Sequence, residues 1–140
     1  MKFKFIEHTA DVGVEAYGKN IEETFANVAL GLFEIMSNTK KIKDTKMYKI
    51  KIKSENIESL LYDFLEKFLI IHDIENAVFT RVDVKKITEK DGFVLEAIAF
   101  GEEFNPKKHE SRSGVKAVTY MNMSIKKENN KYRINVILDI

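Results

Sequence analysis

Two hydrophobic periods alternate along this chain, and their order constrains the fold more than any other feature. In residues 3–5 and 12–16 apolar side chains recur at every second position: Phe3 and Phe5 against Lys2 and Lys4, then Val12, Val14 and Ala16 against Gly13, Glu15 and Tyr17. This predicts two strands, each with one buried face. The period then lengthens. Asn20 can cap a helix with Glu23 at its third position, and Ile21, Phe25, Val28, Ala29, Leu32, Ile35 and Met36 follow as one apolar stripe. Period two returns in residues 47–53, where Tyr48, Ile50 and Ile52 face one way and Lys49, Lys51 and Lys53 the other. A second helix is predicted over 55–72. Its wide face of Ile57, Leu60, Leu61, Phe64, Leu65, Phe68 and Leu69 makes it the candidate for the more buried of the two.

From Ala77 onward the pattern is that of strands: 77–87, a hairpin signal at Asp91-Gly92, 93–100, then 115–125 and 132–140 joined across Asn129-Asn130. Residues 101–114, with Pro106, break the alternation. The order β-β-α-β-α-β-β-β-β implies an α+β fold in which two helices pack on one face of a largely antiparallel mixed sheet. A chain of 140 residues, 44% hydrophobic and without linker or repeat, fits one domain over residues 1–140.

Composition narrows the chemistry. With no cysteine, thiolate metal sites, disulfides and cysteine nucleophiles are excluded, so any metal is held by oxygen or imidazole. The net charge of +1 gives no global field toward nucleic acid or an anionic membrane, and local patches must carry any such interaction. No apolar run is long enough to span a bilayer, and the alternating N-terminus is unlike a signal-peptide core, which predicts a soluble, cytoplasmic protein. A Gly-rich phosphate loop, a His-Glu-x-x-His helix, an EF-hand loop and a Gly-x-Ser-x-Gly elbow are all missing from the sequence.

What remains are polar residues where folding alone would not ask for them. Glu7, His8 and Asp11 lie in or beside the first interstrand connection, where Asp and Thr also serve as plain turn formers. Asp139 interrupts the apolar run Val136-Ile137-Leu138-Asp139-Ile140, on the face opposite Leu138 and Ile140 and one peptide from the terminal carboxylate. Carboxylates and carbonyls are hard donors, suited to calcium or magnesium. His109, near Glu102 and Glu103 in the irregular segment, carries two readings: a functional group or a solvated loop histidine. His72 sits where imidazolium suits a helix C-terminus. The lysine row on 46–53 can touch phosphate or protect a sheet edge.

Several runs, in this order and spacing, resemble the archease family across the whole chain. They are Glu7-His8-Thr9-Ala10-Asp11-Val12-Gly13-Val14, Glu22-Glu23-Thr24-Phe25, Gly101-Glu102 through His109, Val115-Lys116-Ala117-Val118-Thr119-Tyr120 and Val136-Ile137-Leu138-Asp139-Ile140. The resemblance implies a non-enzymatic, chaperone-like activator of the RtcB-type RNA ligase. That ligase joins RNA 3′-phosphate or 2′,3′-cyclic phosphate ends to 5′-hydroxyls in tRNA splicing and RNA repair. The family protein promotes the ligase's guanylylation and multiple turnover. It further implies a calcium site, with magnesium as the other candidate, at Asp11, Asp139 and the main-chain or terminal oxygens of Ile140. Lys116 matches a basic family position, and His8 and His109 stand as surrounding functional residues. Two other classes stay open: a tRNA-binding modulator of RNA modification resting on the lysine row and Lys40-Lys41-Ile42-Lys43, and a metal-dependent hydrolase using His8, His109 and Lys116.

Overall fold

Asparagine starts both helices. The computed structural model describes residues 1–7 and 10–140, apart from the Glu7 side chain. Asn20 accepts the Glu23 N–H at 2.8 Å and opens α1 (Ile21–Met36). Asn56 opens α2 (Ile57–Glu75) with a reciprocal cap: its side chain accepts from Ser59 N–H, and the Ser59 hydroxyl accepts from Asn56 N–H. Among the described residues seven strands accompany them: β1 (Phe3–Glu7), β2 (Asp11–Gly18), β3 (Lys46–Ser54), β4 (Ala77–Glu89), β5 (Phe93–Glu103), β6 (Ala117–Glu128) and β7 (Lys131–Asp139).

The predicted α+β class is the one observed, two helices with antiparallel strands. The strands divide into two sheets, ordered β1-β2-β7-β6 and β3-β5-β4. The irregular segment after β5 prevents a β5–β6 hairpin. β6 instead pairs with β7 through Asn129 and Asn130, both at positive φ as a tight hairpin requires. At the β4–β5 hairpin, Gly92 has φ of +103°, and a Cβ there would stand 2.6 Å from the Ser54 carbonyl oxygen.

Both helices bridge the two sheets: α1 packs on β2 and β4, and α2 on β6, β3 and β5. α1, not α2, is the more enclosed, with eight of its sixteen residues buried against seven of nineteen. Its apolar stripe meets both sheets, and Gly31 lets it approach β2 so closely that a Cβ would stand 2.8 Å from Val14 Cγ1. α2 leaves Ile70 and Ile74 exposed near its C-terminus. One core joins the elements, with Phe33, Phe68 and Phe79 in mutual ring contact at 4.8 to 5.2 Å between centroids. Among the described residues no helix is long and apolar enough to cross a membrane.

Candidate functional site

The start of β2 and the end of β7 meet at one corner of the four-stranded sheet. β7 runs between β2 and β6, and its last residue, Asp139, is the register partner of Asp11, the first residue of β2. Directly opposed residues of an antiparallel pair point to the same face, their Cβ atoms about 5 Å apart. Alternation from buried Val12 and Leu138 turns both aspartates to the outer face of the sheet. The terminal residue is held on both sides: Lys116 N–H donates to the Asp139 carbonyl at 2.7 Å, and Ile140 N–H donates to the Ala10 carbonyl at 3.3 Å.

Asp11 and Ile140 line a cavity of about 280 Å³, walled by Phe5, Val12 and Ile35 and closed on its polar side by Glu34, Arg112 and Ser113. The sequence did not point to Glu34 or Arg112. The Arg112 guanidinium binds Glu34 Oε1 at 2.7 Å, the Glu34 carbonyl at 2.9 Å and Glu110 Oε2 at 2.9 Å, and Arg112 N–H reaches the Met36 carbonyl. One arginine thus straps the segment after β5 to the open carbonyl end of α1. Burial works to raise the Glu34 carboxyl, but the Thr39 hydroxyl and Arg112 outweigh it and hold it below the usual range. The available signal was the residue type: arginine is rare here among many lysines, and its fork suits several acceptors at once.

His109 is not a solvated loop residue, since it is 4% exposed. Its Nδ1 accepts the Asn105 N–H at 2.9 Å, so the ring is the neutral tautomer whose Nε2–H donates to Glu102 Oε2 at 2.8 Å. Glu102 also accepts from Lys108 Nζ at 2.6 Å and from the Lys43 N–H at 2.8 Å. Burial favours its neutral form, yet these three donors hold the carboxyl at about 2. His109 therefore belongs to a clasp around the post-β5 segment and is separate from the Asp11–Asp139 corner. Lys116 stands beside that corner with its side chain exposed. His8 lies outside the described residues. His72 donates from Nδ1 to the Ala77 carbonyl at 2.7 Å, closing the end of α2.

Among the described residues no three His, Asp or Glu side chains converge. The corner's oxygen donors are two aspartates and the main chain of Ile140. All are hard oxygens, and two carboxylates directly opposed on neighbouring strands form an arrangement that a divalent cation stabilises. These hard oxygens suit calcium or magnesium in kind, and Asp11, Asp139 and Ile140 are the residues that would hold such an ion.

Residues 3–140 match the family model described as "Archease protein family (MTH1598/TM1083)". The chain is 46% identical over 126 residues to the protein archease of Thermococcus kodakarensis, covering 90% of this chain and 89% of that one. It is 43% identical over 139 residues to that of Sulfurisphaera tokodaii, covering 99% of each. The solution structure of Methanobacterium thermoautotrophicum protein 1598 superposes with a TM-score of 0.84 at 43% identity, over 99% of this chain and 98% of that one. A Thermotoga maritima protein described as an archease, "possible chaperone", shares the fold at a TM-score of 0.61 and 20% identity, over 98% and 96% of the two chains.

Proposed function

The chain belongs to the archease family, and from that premise we propose that it is a cation-binding accessory protein, not itself an enzyme, that activates an RtcB-type RNA ligase. The observation that carries this reading is the register pairing of Asp11 with Asp139. A bound calcium or magnesium ion would supply a fixed positive charge shared by β2 and β7, the two central strands of the sheet.

This chain's own residues do the rest. The backbone bonds from Lys116 and Ile140 fix the end of β7, so the aspartates are presented at a defined spacing and not on a loose tail. Arg112 braces the neighbouring wall against α1, giving a rigid surface on which the ligase can dock. Docking there favours the ligase conformation competent for guanylylation, while the reacting histidine, the nucleotide and the RNA 3′-phosphate or 2′,3′-cyclic phosphate end all remain on the ligase. His109 weighs against a hydrolase, because both of its ring nitrogens are engaged and neither is free to act as a general base.

The test is RNA ligation with the ligase of the same organism held limiting. The protein should convert a single round of joining into many rounds. An unchanged number of rounds with folded protein present contradicts the proposal. Phosphoester hydrolysis by highly purified protein, lost in Asp11→Asn, would establish the hydrolase instead.

A further inference from the structure

The outer face of the β3-β5-β4 sheet is left open, because both helices pack on its other side. Alternation from the buried Ile50, Leu95, Ala97 and Val82 assigns this face its residues. β3 contributes Met47, Lys49, Lys51 and Lys53; β5 contributes Val94, Glu96, Ile98 and Phe100; β4 contributes Arg81, Asp83 and Lys86. The two carboxylates are already engaged on the β4 side, Glu96 with Lys86 at 3.1 Å and Asp83 with Arg81 at 3.0 Å and Lys85 at 3.9 Å. Among the described residues Lys49, Lys51 and Lys53 have no carboxylate within ion-pair distance, so they form the face's surplus positive charge. In a chain with a net charge of only +1, this is segregation of charge and not a general excess.

Beside this row lies an apolar stripe, interrupted by Glu96, which pairs away from it with Lys86. Val94, Ile98 and Phe100 on the central strand are each only partly covered, and the Arg81 guanidinium sits 3.8 Å from the Phe100 ring centroid. The lysines repeat every second residue, about 6.7 Å apart along the strand, a ladder of cations parallel to the apolar stripe. We propose that this face binds single-stranded RNA, with phosphates along Lys49, Lys51 and Lys53 and bases against Val94, Ile98 and the Arg81 guanidinium that lies over Phe100.

The chemistry separates this occupant from its competitors. Edge protection explains charges on β3 but not the half-open apolar stripe kept on the central strand beside them. A duplex presents a curved backbone with its bases turned inward, which leaves a flat apolar stripe unused. A single strand offers both phosphates and base faces to it. An anionic membrane would favour protruding apolar side chains, and on this face only Met47, at 61% exposure, protrudes. The inference does not depend on the ligase reading, since it concerns the opposite sheet from Asp11 and Asp139 and needs no cation.

The experiment is a fluorescence-anisotropy titration of a labelled uridine oligomer, about twelve nucleotides long so as to span the sheet. It uses the full chain between about 50 and 200 mM salt. Three phosphate contacts predict a slope of log affinity on log salt of about −2, an affinity loss of about 20-fold across that range. Replacing Lys49, Lys51 and Lys53 together by Ala should weaken binding at least about 10-fold at the lowest salt and flatten the slope. Replacing the equally exposed Lys126, Lys127 and Lys131 by Ala should leave both close to wild type. Circular dichroism confirms that each variant is folded, and Lys→Arg at the three β3 positions, which keeps the charge, should restore binding. No binding at the lowest salt, equal weakening by the two triple variants, equal affinity for a duplex of the same length, or binding to phosphatidylserine vesicles without binding to the oligomer would each overturn the proposal.

Discussion

Replacing Glu102 by Gln tests whether the clasp around the post-β5 segment works as its geometry implies. The carboxylate accepts from Lys108, from the Lys43 amide and from His109, and its side chain is 12% exposed. A folded-state pKa of about 2 against an ordinary value of 4.5 corresponds to an upper bound of about 3 kcal/mol. Lys108 is partly exposed, so solvent screening reduces its share, and about 2 kcal/mol is the expected loss for Glu102→Gln. For a chain of this size that is about 5–10 °C in Tm.

The pH dependence carries the sharper information. Because the folded pKa is depressed, the stabilisation is fully present above the unfolded value of 4.5 and is lost as pH falls through about 2. Urea denaturation of wild type and Glu102→Gln should therefore give a constant difference from about pH 5 to 8, closing progressively below about 4.5. A difference near zero at pH 7 would refute the clasp itself.

Asp11→Asn should weaken calcium binding by about tenfold or more with the thermal midpoint nearly unchanged, because the position ends a strand on the outer face and fills no core space; calorimetric titration beside a thermal melt measures both. Phe33→Ala removes a ring that touches Phe68 and Phe79 at full burial, and should cost about 3–5 kcal/mol in chemical denaturation.

The parts of the fold legible in the sequence were those decided locally. The Asn20 cap, the apolar stripes of both helices and the turns at Asp91-Gly92 and Asn129-Asn130 depend on residues a few positions apart, and each stands where the pattern placed it. The Asn56 cap was harder to see because its partner at the third position is Ser59, not an acidic residue. Division into two sheets was not legible: β5 has antiparallel partners in both β3 and β4, and nothing in the alternation of 46–54 says which strand it will join. At the site, Asp139 stood out because strand chemistry disfavours it, whereas Asp11 sat where a turn former is expected and only the family resemblance singled it out; the register places the two side by side. Glu34 and Arg112 are 78 residues apart and individually ordinary, so only the folded chain shows that they close the same cavity. The burial of His109 was hidden likewise, since it depends on Glu102 and the Asn105 amide curling around one ring.

Asp139→Asn tests the central claim most directly, because that residue couples the cation to the presented surface. Multiple-turnover RNA ligation should be measured across a calcium titration, with limiting ligase from the same organism and either wild type or folded Asp139→Asn as activator. The account predicts that wild type raises turnover along a calcium saturation curve and that Asp139→Asn shifts that curve to calcium concentrations higher by about tenfold or more. Superimposable curves for the two proteins would contradict it.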